Sequence, residues 1–353
     1  MASDRMMEYY YAMGQDGIHT GRFDDAILYF RKAARLGARE AAADICLLGH
    51  WFATGDGAPK DEDKAAACYE MASEFDLPEA FLALGKMYLK GINGKAPNLR
   101  KARKQLEKAS DMGSTDAAAL LGKLFDEGTF GRVAPDKAFQ YYLLAAQRGD
   151  ASSMLMTGLF YAEGKVVPKD TDIAETWIRK GNELGDPDGK ETLRTFLAVA
   201  CTEYVTGDAG IHDDAKALAM AEEAMALGDK EAWQRLGEAY RDRDRRSGHG
   251  AKSFQCFEKS AALGLPAGET ALGLAYEAGI GTEADIAQAV RWYQKGADKG
   301  DAFAMARLGY AYGEGAGVSK DEQKAMAWLI KAAMKGDAGA ILTLRDDYHY
   351  EWK

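Results

Sequence analysis

The chain has 353 residues, 47% of them hydrophobic, with 39 glycines, 7 prolines and a formal net charge of −10. Such an acidic balance argues against a nucleic-acid or anionic-membrane surface, which needs a basic stripe. The scarcity of proline favours helix, and so many glycines suit short helix pairs punctuated by tight turns.

The first fifteen residues, MASDRMMEYYYAMGQ, lack the apolar run of a signal peptide. No apolar run of about 18 residues follows anywhere, so no membrane insertion is expected. Cys46, Cys68, Cys201 and Cys256 are far apart and form no CxxC pair. They read as small buried hydrophobes rather than zinc ligands or disulfide partners, which fits a reducing, cytoplasmic setting. A secretion signal trimmed from the natural protein is the alternative.

Self-similarity organises the rest. Taking the small residue in the middle of each first helix as an anchor gives Gly14, Gly49, Gly85, Gly122, Gly158, Cys201, Gly237, Gly273 and Gly309. The spacings are 35, 36, 37, 36, 43, 36, 36 and 36 residues. One residue before the anchor stands a leucine in most units (Leu48, Leu84, Leu121, Leu236, Leu272, Leu308), and three after it an aromatic (Phe52, Tyr88, Phe125, Tyr161, Tyr204, Tyr240, Tyr276, Tyr312). Positions four apart share a helix face, so these two form the buried stripe. A mid-helix glycine costs about 1 kcal/mol against alanine, so its recurrence implies close approach of a partner helix.

Six residues past most anchors a glycine ends the first helix, and an aspartate at twelve (Asp61, Asp170, Asp213, Asp285, Asp321) is placed to cap the second. The second helix has a small residue at sixteen and large ones at nineteen or twenty, such as Tyr69, Tyr142, Trp177, Phe257, Trp292 and Trp328. A final glycine closes it. The fullest copy is Ala302–Gly336, AFAMARLGYAYGEGAGVSKDEQKAMAWLIKAAMKG.

This pattern resembles the Sel-one-like repeat (SLR) family, relatives of the tetratricopeptide repeats, over nearly the whole chain. The resemblance implies an all-α fold: an α/α solenoid, a right-handed superhelix of about nine helix-turn-helix repeats with its first helices on the concave face. The repeats are expected at approximately 7–40, 41–78, 79–115, 116–150, 151–188, 189–230, 231–266, 267–301 and 302–337, with a C-terminal capping helix in 338–353. All belong to one solenoid. The 43-residue spacing marks a longer first helix or a bend or sub-array boundary near 186–207. Arg241-Asp-Arg-Asp-Arg-Arg-Ser-Gly-His-Gly250 replaces one turn and reads as a self-neutralising solvated loop or as a docking spot for an acidic partner.

No catalytic constellation is legible. The five histidines are scattered, without HExxH or an i, i+4 pair. Gly185–Thr192 has the wrong spacing for a phosphate loop. S-x-x-K, S-D-N and K-T-G are absent, so the β-lactam binding linked to some cysteine-rich relatives is not carried over. No metal, catalytic or cofactor site is expected.

What the resemblance offers instead is a groove. By tetratricopeptide-like geometry its lining includes Tyr11, His50, Lys86, Lys123, Leu159, Glu238, Arg241, Phe303 and Tyr310. The favoured function is a non-catalytic, monomeric protein–protein interaction scaffold or adaptor of bacterial type, with a peptide or protein partner. The alternatives are a small-molecule binder or hydrolase with its site in the groove, and a self-assembling structural protein.

Overall fold

The computed structural model describes residues 2–208, 212–244 and 250–350. Among them lie nineteen α-helices and no strand. The first eighteen form nine sequential pairs: α1 (Ala2–His19) with α2 (Phe23–Arg35), α3 (Arg39–Thr54) with α4 (Glu62–Ser73), α5 (Pro78–Lys90) with α6 (Leu99–Asp111), α7 (Thr115–Asp126) with α8 (Pro135–Gln147), and α9 (Ala151–Glu163) with α10 (Thr171–Glu183). They continue with α11 (Gly189–Thr206) and α12 (Asp214–Ala226), α13 (Ala232–Asp244) and α14 (Ala251–Ala262), α15 (Pro266–Ala278) and α16 (Ile286–Asp298), and α17 (Ala302–Glu314) and α18 (Glu322–Met334). A short α19 (Ala338–Asp346) follows. The architecture is an α/α solenoid.

The local signals work as the repeat demands. Asp61, Asp170, Asp213, Asp285 and Asp321 each accept the backbone N–H three residues on, at 2.8–3.0 Å. Five first helices close on a left-handed glycine (Gly55, Gly164, Gly207, Gly279 and Gly315), as at Gly315 (φ 76°, ψ 26°), a conformation that a Cβ would strain. A second set of caps was not singled out from sequence: Ser114, Asp150, Asp301 and Asp337 open the following first helices in the same way.

The chain divides into two compact units: Met1–Pro168 with Thr176–Asp186, and Lys169–Glu175 with Pro187–Lys353. In the first unit one core gathers Phe30, Ile45, Leu48, Phe52, Tyr69 and Leu84, and another gathers Leu106, Leu121, Phe125, Phe139, Tyr142 and Phe160. In the second, Leu197 and Tyr204 are fully buried on α11, and Tyr293, Leu308, Leu329 and Leu344 share a core that reaches α19. The small residues at position sixteen, from Ala65 through Ser253 to Ala325, are all 0% exposed. They let helices of a pair meet at backbone distance. α11 has 18 residues against 13 in α13, α15 and α17, so the extra length of its repeat is helix.

Candidate interaction surface

The packing stripe removes position −1 from consideration, because its leucines are at most 1% exposed; at +3, Phe52, Phe125, Tyr204 and Tyr240 are buried, while Tyr88, Tyr161, Tyr276 and Tyr312 are only half-buried. On α3 and α5 the side chains at −6 and +1, with Cys46 at −3, turn to the other side, whereas −3 is buried at Leu155, Thr270 and Ala306. On α3 and α5 this side opens into a cavity of about 320 Å³ lined by Ala43, Cys46, Leu47, His50, Glu79 and Ala83, with Tyr69 and Leu77 beside them. His50 and Lys86 are exposed, and Leu47 is 42% exposed.

Cys46 corrects the sequence reading of the cysteines. Cys68, Cys201 and Cys256 are buried, but Cys46 is only half-buried and faces this cavity. Its anchor offset, −3, equals that of Tyr11, and that register was the available signal. Burial, aided by the Glu79 carboxylate, pushes the thiol up to about 11.

Tyr11 stands over Phe30 with ring centroids 5.7 Å apart. Gln15 Nε2 donates to the Tyr11 hydroxyl at 3.2 Å and to Asp44 Oδ2 at 3.0 Å, tying α1 to α3. Burial raises the Asp44 carboxyl, with Glu40 adding to it, above its ordinary value even though Tyr11 and Gln15 hydrogen-bond to it. Tyr11 is therefore half-engaged in joining helices rather than free.

Two lysines of the first unit are engaged by acids. Lys123 pairs with Glu127 at 3.8 Å on its own helix, and Lys90 reaches Glu62 at 3.6 Å. Leu159 is half-buried on α9.

In the second unit, Glu238 is half-buried and accepts from Gln234 Nε2 at 3.3 Å. Arg241 pairs with the neighbouring Asp242 at 3.4 Å and lines a 560 Å³ cavity with Asp244, Gly250 and Ile280. Arg243, from the same loop, pairs with Asp214 at 2.7 Å and lies 4.9 Å from the Tyr240 ring centroid. That arginine serves packing between α13 and α12. Residues 245–249 of the loop lie outside the described residues.

Phe303 is 46% exposed on α17, with the Arg307 guanidinium 5.9 Å from its ring centroid. Arg307 also pairs with Glu277 on α15, which accepts from the Tyr293 hydroxyl. This network lay beyond sequence reasoning, because Arg307 sits outside the expected groove register. Tyr310, by contrast, turns its hydroxyl onto Gly339, where an added Cβ would lie 2.9 Å away. It packs on α19.

Among the described residues, no group of three or more His, Cys, Asp and Glu side chains is arranged to hold a metal ion. No helix among them is long and apolar enough to cross a membrane.

Similarity to known proteins is found at the level of both sequence and structure. A rat protein, "DAP3-binding cell death enhancer 1", is 31% identical over 189 residues, covering 53% of this chain and 36% of its own. "Chitin synthase regulatory factor 1" of Schizosaccharomyces pombe is 28% identical over 147 residues, covering 40% and 32%. The chain thus spans about a third of the length of these curated relatives. Among solved structures, a Sel1 repeat protein from Oxalobacter formigenes aligns over 96% of this chain and 86% of its own at 25% identity, with a TM-score of 0.46. A protective antigen of uropathogenic Escherichia coli displaying an SLR fold aligns over 98% and 80% at 22% identity, with a TM-score of 0.48.

The family model of the Sel1 repeat matches residues 8–37, 42–74, 78–114, 115–150, 151–186, 235–265, 266–301 and 302–337. Only the pair α11–α12, with its long first helix and Cys201 for glycine, goes unmatched in the array. The chain belongs to the Sel1 repeat family.

Proposed function

We propose that the chain is a non-catalytic protein–protein interaction scaffold or adaptor that binds a peptide segment or partner protein along the groove face of its first helices. The observation that carries the reading is the open cavity on the α3–α5 face. Its residues Cys46, His50 and Glu79 occupy repeat positions that the packing stripe does not need. An exposed aromatic at the equivalent face of α17, Phe303, supplies the kind of anchor that buries large area at low entropy cost.

Support comes from the family, whose members generally mediate protein–protein interactions. The names of the rat and yeast relatives, a DAP3-binding protein and a regulatory factor, belong to binding and regulation rather than catalysis. The test is affinity capture from the native organism followed by mass spectrometry. Wild type is compared with a variant carrying His50→Glu, Lys86→Glu and Phe303→Ala. Partners lost by the variant while its helical spectrum and melting stay intact support the groove. Partners retained in full would overturn it.

A further inference from the structure

A different face of the first unit carries its own signal. From residue 95 to 108 the chain places Lys95, Arg100, Lys101, Arg103, Lys104 and Lys108 against a single acid, Glu107, in a protein of net charge −10. Most of these cations belong to α6, a second helix whose buried side is Ala102, Leu106, Ala109 and Ser110. Arg100, Lys101, Lys104 and Lys108 are exposed.

Lys108 is partly engaged, at 3.4 Å from Asp76, and Arg103 is held by Glu107 at 2.7 Å. Lys95, Arg100 and Lys104 have no acidic partner within 4.0 Å among the described residues. Arg100 and Lys101 also fall in the first turn of α6, which contains no acid. The positive end of the helix dipole disfavours cations there, and Arg100 and Lys104 repel each other at i, i+4. Lys101 and Lys108 sit over the Tyr88 and Phe81 rings, at 5.2 and 4.1 Å, but folding gives no such reason for Arg100 and Lys104.

Arg100, Arg103 and Lys104 rim a cleft of about 370 Å³ that Leu99, Glu107 and Phe130 also line. Its floor is apolar: Leu99 is 37% exposed and Phe130 half-buried. Phe130 is fixed by an edge contact with Phe125 at 5.2 Å, and Phe125 stacks on Tyr141 at 5.6 Å. Arg103 lies 5.2 Å from the Phe125 ring centroid, so rim and floor are braced by one aromatic cluster.

We infer that this cleft on the second-helix face docks an acidic peptide segment that presents an apolar side chain between its carboxylates. Carboxylates answer the unpaired Arg100 and Lys104, and the apolar side chain covers Leu99 and Phe130. A nucleic-acid backbone fits less well. The basic stripe is one helix of 13 residues, about 20 Å long, and it is interrupted by Glu107 and ends at Asp111. A flat lipid surface would leave the recessed floor unfilled.

The experiment uses the full chain and a fluorescein-labelled peptide in which one phenylalanine is flanked on both sides by runs of glutamate. Fluorescence anisotropy should show binding that weakens as salt is raised. Arg100→Glu with Lys104→Glu should weaken it by about tenfold or more, and Leu99→Ser or a phenylalanine-to-alanine peptide by roughly fivefold. The charge reversal should leave melting unchanged or raise it, because acids suit the first turn. Absence of binding, or equal affinity in the reversed variant, would overturn the inference. So would tighter binding of a uridine oligonucleotide or phosphatidylserine vesicles through the same residues, or a dimer dissolved by the charge reversal.

Discussion

Leu329 packs against Gly309 so closely that a Cβ on residue 309 would lie 2.7 Å from its Cγ. The same relation recurs twenty residues apart at Gly49 with Tyr69, Gly122 with Tyr142, Gly237 with Phe257 and Gly273 with Tyr293. It sets the distance between the two helices of a pair. Gly309→Leu should therefore cost about 1–3 kcal/mol through overpacking. Because repeats contact mainly their neighbours, urea unfolding should show a broadened or split transition. An unchanged curve would contradict the packing role.

That glycine contact also shows what sequence could and could not resolve. Large residues at nineteen and twenty looked equivalent, since size alone carries no direction. A helix turns about 100° per residue, so the two offsets face different neighbours. Tyr293 and Leu329, at twenty, are buried on the glycine. Trp292 and Trp328, at nineteen, are half-buried with Lys295 and Lys331 ammonium groups 3.5 and 4.0 Å from their ring centroids. The anchors, the turn glycines and the aspartate caps of the second helices were legible because they repeat. The Phe303–Arg307–Glu277–Tyr293 network and the α6 cleft were not, because each occurs once and depends on distances between helices.

Acid should weaken the second unit first. Burial alone would raise the carboxyl of Asp214, but hydrogen bonds from Arg243 and Lys252 bring it below its ordinary value. Burial likewise opposes Glu277, where Arg307 and Tyr293 win. Asp172 is lowered by Lys216 and then by Tyr204, whose hydroxyl donates at 2.6 Å. Lowered folded-state values mean stabilisation that is complete above the ordinary carboxylate range and lost as pH falls through the lowered values. Melting of the second unit should drop below about pH 4. At neutral pH, Asp214→Asn should cost about 1–2 kcal/mol, the lower part of the charged hydrogen-bond range because the cluster is partly solvated. It should also flatten the acid limb in thermal scans across pH.

Asp44 should behave in the opposite sense. Its folded-state carboxyl is raised, chiefly by burial. Ionisation therefore penalises the fold above the ordinary carboxylate range, and the penalty vanishes below it. Asp44→Asn keeps an acceptor for Gln15 and Tyr11 while removing the charge. Its urea midpoint should exceed wild type at neutral pH and match it at about pH 3.5, below the ordinary aspartate value. A lower midpoint at neutral pH would refute the assignment.

Thiol labelling should separate the four cysteines. Cys68, Cys201 and Cys256 are 0% exposed, and burial pushes each thiol up to about 12. The thiolate is the reactive form, so these three should label with iodoacetamide only after unfolding. Cys46 should react first in the native chain, slowly at neutral pH and faster in base. Peptide mapping would decide, and native labelling of Cys201 ahead of Cys46 would contradict the burial pattern.

Phe303 and Leu308 share one helix and differ in what the fold asks of them. Leu308 is 0% exposed within the core of the second unit, so Leu308→Ala should cost about 2–5 kcal/mol. Phe303 is 46% exposed, and its contact with Arg307, at 5.9 Å, lies near the limit of a useful cation–π distance. Phe303→Ala should therefore change stability by no more than about 0.5 kcal/mol, as at an ordinary surface site. If the groove face binds a partner, the two substitutions should trade places in a capture assay. Phe303→Ala would lose the partner from a stably folded chain, whereas Leu308→Ala, assayed below its melting temperature, would retain it. Equal loss of stability in both would mean that Phe303 belongs to the packing of the repeat and leaves α17 without its anchor.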